Sequence, residues 1–345
     1  MNSLRICVIS LIMFVFVGAS FALKADLEPQ KDSSSSNAAA ESSVEVDIVA
    51  KNKKEKLKEL ELLAKSFADK GFYDRAINAY NGILRWKLPK KKLFEYYVKI
   101  GDLHSLNRNY VFSFDYYKKA LHIRKKSSRI MVKIGYILLE ENLFTLAEKT
   151  FLDALKTDKH SIEAKIGMGN VFYKQGIYVE ALQYYDKIPK KFYDREVVKK
   201  IADCYINLNK TDQAVAILES FLKERDDSEL IFDLGIIYMN RSDYNTAEDL
   251  FLKYLKMNNG DFKVYVYLAS LYDLKGESKK ALKMFNKAYT IDSSYAVVDF
   301  MRAKVAYRSG RISEAKAYAN EAYNKAKTTF VKDQIQKLVK YLNSK

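Results

Sequence analysis

Gly169-Asn170-Val171-Phe172-Tyr173-Lys174-Gln175-Gly176-Ile177-Tyr178-Val179-Glu180-Ala181-Leu182-Gln183-Tyr184-Tyr185 is the stretch that decides the fold. It carries a small residue, an aromatic three positions later, a turn glycine, an aromatic two beyond that, then alanine and tyrosine. The same order recurs along the chain. One column of small residues runs Ala64, Gly101, Gly135, Gly169, Ala202, Gly235, Ala269, Ala303, and a second runs Ala76, Ser113, Ala147, Ala181, Ala214, Ala247, Ala281, Ala315. The two columns are twelve residues apart in every unit, and successive units are spaced 37, 34, 34, 33, 33, 34 and 34 residues.

Close helix approach gives this pattern its physical sense. Two antiparallel helices of about twelve residues, joined by a short turn, pack tightly only where small side chains sit at the crossing. Larger residues fill the adjacent space. One filling column is Phe67, His104, Leu138, Phe172, Tyr205, Tyr238, Tyr272, Ala306; the other is Tyr80, Tyr117, Phe151, Tyr185, Leu218, Phe251, Phe285, Ala319. Between the helices stand Gly71, Arg108, Asn142, Gly176, Asn209, Ser242, Gly276 and Gly310. Glycine and asparagine suit the left-handed conformation that ends a helix. The chain has 48% hydrophobic residues, enough for a sizeable core, and only 12 Gly and 3 Pro, which favours long helices over a turn-rich β fold.

With its 34-residue period, its small-residue columns and its Gly-x-aromatic step, the sequence resembles the tetratricopeptide-repeat family over about residues 57–326, or eight units. The resemblance implies an all-α fold: a right-handed superhelical solenoid of about eight helix pairs. The array is expected over 51–326. A closing helix over 327–345 is expected from Phe330, Ile335, Leu338, Val339 and Leu342, which recur at helical spacing. The family's proline near each unit end is mostly missing. In the fifth unit Thr211 and Leu218 replace expected aromatics, so that unit is expected to pack less regularly. The extra three residues between units one and two are expected in a longer loop near Arg85 to Lys92.

The N-terminus has the grammar of a bacterial-type secretory signal. Arg5 precedes an apolar run from Ile6 to Gly18, and Ala19-Ser20-Phe21-Ala22 offers small residues for a cut after Ala22. An uncleaved membrane anchor is the competing reading, because the seventeen residues Ile6 to Ala22 reach the lower limit for crossing a bilayer. Cys7 lies at the start of the apolar run, the wrong place for a lipidation cysteine. Residues 23–50, with Ser33-Ser34-Ser35-Ser36, read as a flexible linker. The expected location is therefore the periplasm or cell envelope, free or tethered by the N-terminal segment. Without Cys7 only Cys204 remains, so no intramolecular disulfide is expected. Cys204 is either a small core residue or a pairing partner between chains.

The resemblance also implies a concave groove lined by the first helix of each pair. Family positions projected onto this sequence predict partner-binding residues Tyr136, Leu139, Ile166, Asn170 and Tyr173 in units three and four. They predict Phe232, Ile236, Met239, Val266, Phe300 and Tyr307 in units six to eight. Tyrosine and methionine suit adaptable contact with a protein segment. Packing against neighbouring helices or an N-terminal segment is the alternative fate of the same side chains. The Lys/Asn/Arg set with which some family members grip acidic tails is absent.

The formal charge is +16. Basic and acidic residues come close to balance over the projected groove, so the surplus falls on outer faces, loops and ends. Nucleic acid is not expected as a partner of an exported chain. The three histidines, His104, His122 and His160, lie in different units without metal-ligand spacing, and no phosphate loop or nucleophile elbow appears. The expected function is a non-enzymatic protein-binding scaffold of the cell envelope, with no cofactor, metal or catalytic residue. The second option is a surface binder whose basic exterior meets anionic lipid or wall polymer.

Overall fold

The computed structural model describes residues 53–344; the expected signal segment and Ser-rich linker lie outside them. The fold is all-α, with seventeen α-helices and no strand among the described residues. These residues form two compact units that divide the chain between Lys210 and Thr211. The first holds α1 (Lys53–Asp69), α2 (Tyr73–Leu84), α3 (Lys90–Leu106), α4 (Tyr110–Ile123), α5 (Ser128–Glu140), α6 (Phe144–Thr157), α7 (Ile162–Lys174), α8 (Tyr178–Tyr185) and α9 (Arg195–Asn207). The second holds α10 (Thr211–Glu224), α11 (Ser228–Asn240), α12 (Tyr244–Met257), α13 (Phe262–Leu274), α14 (Ser278–Ile291), α15 (Ala296–Arg308), α16 (Ile312–Lys325) and α17 (Thr329–Asn343). The division falls within the fifth repeat, the one whose sequence departs from the pattern.

Each first helix ends in the same way. All eight turn-column residues have positive φ, from 56° at Arg108 to 79° at Gly276. The carbonyl of the first filling column then accepts a hydrogen bond from the backbone N–H five residues on. Asn109 donates to His104 at 2.8 Å, Ile177 to Phe172 at 2.9 Å and Arg311 to Ala306 at 2.9 Å. This is the long bond of a Schellman closure, which uses up a carbonyl the helix leaves without a partner. Arg108 and Ser242 adopt the same geometry as the glycines, so the closure imposes the conformation even where the residue does not favour it.

The helix crossings explain the small-residue column. A Cβ added at Gly169 would stand 2.4 Å from Cε1 of Tyr185, and one at Gly101 would stand 2.5 Å from Cε1 of Tyr117. At Gly135 and Gly235 the obstructing rings are Phe151 and Phe251, each at 2.7 Å. Each glycine thus receives the aromatic of its own second helix, sixteen residues on. Gly167 adds a contact between repeats, because its Cβ would meet Phe151 of the preceding pair at 2.2 Å. Phe151 is therefore clamped between Gly135 and Gly167 and is fully buried.

Two irregularities have local causes. The extra residues between the first two pairs lengthen α3 rather than the loop: α3 has 17 residues, whereas α5 has 13. Pro89, in extended conformation, stands at its N-cap, and the residues after it continue the helix. α8 has only 8 residues and gives way to a single 3₁₀ turn, Lys190–Phe192, just after Pro189.

In the second unit, ten consecutive residues of α13, from Val264 to Asp273, are buried. α17 closes that unit by burying Ile335 and Leu342 completely. A charged network ties α15 to α16. Fully buried Asp299 accepts from Arg302 Nη1 at 2.8 Å and from Lys325 Nζ at 2.7 Å, and the Arg302 guanidinium lies 3.9 Å over the Tyr318 ring. Among the described residues no helix is long and apolar enough to cross a membrane.

The clamp on Phe151 yields a prediction. Gly167→Ala forces a methyl into a ring that Gly135 prevents from retreating, and overpacking of this kind costs roughly 1–3 kcal/mol. Gly82→Ala, on α2 with open space at its Cβ, is expected to be neutral or stabilising. Denaturant unfolding of the two variants checks the contrast; equal midpoints would show that the ring gives way freely.

Candidate binding groove and edge

The first helices bring the projected groove residues into rows, but those residues have different fates. In the first unit Tyr136, Ile166 and Tyr173 stay partly exposed. The Tyr136 ring stands edge-on to core Phe151, with centroids 5.2 Å apart, and its hydroxyl donates to the Glu163 carbonyl at 3.2 Å. Tyr173 donates to Asp203 Oδ2 at 3.0 Å. Burial, with the nearby carboxylates, raises both phenol pKa values well above the ordinary tyrosine range.

Leu139 and Asn170 do not line an open surface. Leu139 is in the core. Asn170 is buried because Gly169 draws the second helix so close that Tyr185 Oη donates to Asn170 Oδ1 at 2.8 Å. The same construction recurs one pair of repeats earlier: Gly101 admits Tyr117, whose hydroxyl donates to Asp102 Oδ1 at 2.5 Å. Where the ring is Phe151 or Phe251 instead, the matching position is apolar or aromatic, Tyr136 or Ile236. Where that ring carries a hydroxyl, the residue after the column glycine accepts its hydrogen bond.

The expected patch of units six to eight is largely filled by its own side chains. Met239 and Val266 are buried, and neither is available as an open groove residue. Phe232 belongs to an aromatic cluster, with its ring 5.1 Å from Tyr254 and from Tyr267. Ile236 is half-buried against the same core. Phe300 packs in the cluster that includes Ile335 of α17, and the hydroxyls of Tyr307 and Tyr341 of α17 are 2.6 Å apart. The cap that closes this unit thereby occupies its last groove positions.

Sequence reasoning missed an apolar row on the turn edge of the first unit. Phe72, Val111, Phe112, Leu143, Leu146, Ile177 and Val179 are all exposed. They sit at or just after the turns of the first four pairs. Neighbouring turns lie side by side: Asn107 Nδ2 donates to Asp74 Oδ1 at 2.9 Å, and Lys174 Nζ donates to Glu140 Oε1 at 3.2 Å. The matching positions of the second unit are polar, among them Asp243, Glu277, Lys279 and Arg311. The signal was present as apolar residues one, three or four positions after the turn residue, where the second unit carries polar ones. The Tyr173 ring lies 6.2 Å from that of Tyr178, which joins the open groove patch to this edge.

Cys204 is fully buried, which pushes its thiol pKa up to about 12. No group of three or more His, Cys, Asp or Glu among the described residues is arranged to hold a metal ion. His104 is buried between the rings of Phe112 and Tyr116, and its Nδ1 has no hydrogen-bond partner among the described residues.

Tetratricopeptide-repeat family models match residues 200–228, 132–193 and 232–296, so the chain carries repeats of this kind. It is similar to Protein O-mannosyl-transferase TMTC3 of Homo sapiens, 22% identical over 231 residues, 61% of this chain and 25% of that protein. It is also similar to TPR repeat-containing protein YpiA of Bacillus subtilis, 20% identical over 185 residues, 53% of this chain and 44% of that one. The chain therefore spans less than half the length of either relative. Among solved structures, a tetratricopeptide repeat protein from Parabacteroides merdae aligns with a TM-score of 0.49 at 16% identity, covering 73% of this chain and 99% of that one.

His104 gives a pH prediction. Burial lowers its pKa below the ordinary 6.5, and Asp74 opposes the shift without reversing it. Between the two values the unfolded chain binds a proton that the folded chain does not, so stability is lost as pH falls below about 6.5. His104→Leu, which places the residue of Leu138 at the same column, is expected to flatten the Tm profile between pH 8 and 5.5. An unchanged profile would mean that His104 protonates without cost.

Proposed function

We propose that this chain is a non-enzymatic scaffold that binds segments of other proteins on its first unit, within the cell envelope. The observation that carries this reading is the exposed apolar row from Phe72 to Val179, continuous with the open groove patch of Tyr136, Ile166 and Tyr173. Contiguous exposed apolar surface on a folded chain marks contact with a partner. A partner segment laid across the first helices would use the aromatic side chains as low-entropy contacts. The envelope location rests on the signal-like N-terminus alone. The transferase name of one relative does not extend to this chain, which matches a quarter of that protein's length.

Photo-reactive amino acids at positions 166 and 111, compared with one at Lys253 on the second unit, test the proposal in cells. Specific protein adducts at the first two positions and none at the third are expected. Ile166→Ser with Tyr173→Ser should weaken capture at least tenfold while leaving Tm within a few degrees. The same adducts from all three positions, or capture unaffected by the double variant, would overturn it.

One observation favours a second reading. Lys279, Lys283 and Lys287 stand on successive turns of α14 and, with Arg311, line a shallow cavity of about 440 Å³. This cationic stripe suits anionic headgroups or wall polymer. Binding to phosphatidylglycerol vesicles should then fall steeply between 50 and 500 mM salt and vanish in Lys279→Glu, Lys283→Glu, Lys287→Glu. Salt-insensitive binding, or none, removes this reading.

A further inference from the structure

An open cavity of about 630 Å³ lies between α1 and α3, with Tyr80 of α2 at its floor. It lies on the groove-facing side of the first repeat: Lys58 and Lys65 occupy the positions that Arg129 and Tyr136 occupy in the third. Its lining is mostly apolar, from Leu62, Ala68, Tyr80 and Leu103. Leu62 is 70% exposed, the most open large apolar side chain of the first helices.

The charge around this cavity is unbalanced. Its two acids are already engaged. Glu61 accepts from Tyr96 and from Lys92 Nζ, and Asp102 accepts from Tyr117 and from Lys133 Nζ at 2.7 Å. Hydrogen bonds and nearby lysines lower the Glu61 pKa even against its burial, so it stays ionised and paired. Lys58, Lys65 and Lys99 form no ion pair among the described residues. Lys99 instead lies over the rings of Tyr80 and Tyr96. The site therefore presents three cations around an apolar floor, and its complement is a segment in which carboxylates alternate with aliphatic side chains.

Such a segment exists in this chain, just before α1: Glu41-Ser42-Ser43-Val44-Glu45-Val46-Asp47-Ile48-Val49. It contains three acids, four aliphatic residues and no base. Its reach is sufficient. The cavity residues of α1 lie 5 to 15 residues beyond Lys53, about 8–22 Å along the helix at 1.5 Å per residue. The nine residues 44–52 can span up to roughly 30 Å.

We propose that residues 44–49 of this chain occupy the cavity between α1 and α3, placing Glu45 and Asp47 against Lys58, Lys65 and Lys99 and an aliphatic side chain against Leu62. The inference rests on the groove reading to the extent that the cavity is the N-terminal end of that groove. Bound there, the segment competes with any partner segment that extends into the first repeat. Release of the chain's own segment then becomes part of partner binding, and its effective concentration, set by a tether of a few residues, is in the millimolar range.

Full-length protein with a diazirine amino acid at Leu62 tests this by photolysis, proteolysis and mass spectrometry. Crosslinks to residues 44–49 of the same molecule are expected, and mixing of light and heavy isotope chains separates them from crosslinks between molecules. Glu45→Lys with Asp47→Lys should reduce the adduct at least fivefold, and Lys58→Glu with Lys65→Glu added to that variant should restore it. Lys58 and Lys65 are exposed on α1, and a rescue is a gain of adduct, so loss of fold does not explain it. Adducts elsewhere in the chain, adducts only between molecules, or adducts indifferent to charge reversal would each overturn the proposal. The crosslinker at position 166 reports on the partner groove independently, so either idea can fail alone.

Discussion

The structure depends on one contact repeated in four of the helix pairs: the ring of Tyr117, Phe151, Tyr185 or Phe251 in the second helix lying on a glycine in the first. Glycine in a helix interior costs about 1 kcal/mol relative to alanine. Burying a ring such as Phe151 or Phe251 returns roughly 1.5–3 kcal/mol, before the dispersion gained by close packing. The exchange is favourable at each of Gly101, Gly135, Gly169 and Gly235, where a Cβ would clash with the ring. Where the column holds Ala64, Ala269 or Ala303, the crossing accepts the methyl and still buries it completely. The spacing of the columns, the length of the helices and the place of each left-handed closure all follow from keeping that ring over that gap.

The same contact governs what the groove can offer. A tyrosine pushed into a glycine gap brings its hydroxyl to the far side, and the next residue of the first helix must satisfy it. Asp102 and Asn170 do so for Tyr117 and Tyr185. A buried hydroxyl without a partner would cost about 1–3 kcal/mol. Residue type at this groove position is therefore set first by the inside of the pair. Tyr136 and Ile236 are free of that duty because Phe151 and Phe251 have no hydroxyl to satisfy.

This coupling also marks how much of the molecule was legible in the sequence. The helix pairs, the eight left-handed turns and the closing helix could be read directly, because each rests on residues at fixed short spacing. Arg108 and Ser242 fitted the turn column by position although neither residue favours the conformation. The groove was only partly legible. Projected positions say which way a residue faces, but not whether a neighbouring helix already stands there. Met239 and Val266 are nonetheless buried: Val266 lies in the ten-residue enclosed run of α13, and Met239 of α11 belongs to the same core cluster. The apolar edge escaped notice because Val111, Leu146 and Val179 are ordinary residues for a helix. Only the alignment of neighbouring turns makes them a row. The longer α3 escaped for a similar reason, since a run of lysines after Pro89 reads equally as loop or as helix.

A stacked array must also deal with its first and last repeats, each of which lacks a neighbour on one side. At the C-terminal end α17 provides the cover: Ile335 and Leu342 are fully buried, and Tyr341 meets Tyr307. That closure consumes groove positions, which is why Phe300 and Tyr307 face the cap. At the N-terminal end α1 leaves Leu62 and Leu63 exposed among the described residues, with unpaired lysines beside them. The two ends thus solve one problem with different chemistry. The cap of the second unit is an amphipathic helix held by apolar contacts, with Ile335 and Leu342 fully buried, and by the meeting of the Tyr307 and Tyr341 hydroxyls. A short acidic–aliphatic segment held by surface lysines buries less and is screened by salt, so it exchanges with a competitor of like chemistry. On the proposal above, displaceable cover falls in the same unit as the open groove patch and the apolar edge, whereas the unit whose groove is filled by its own side chains is closed by α17.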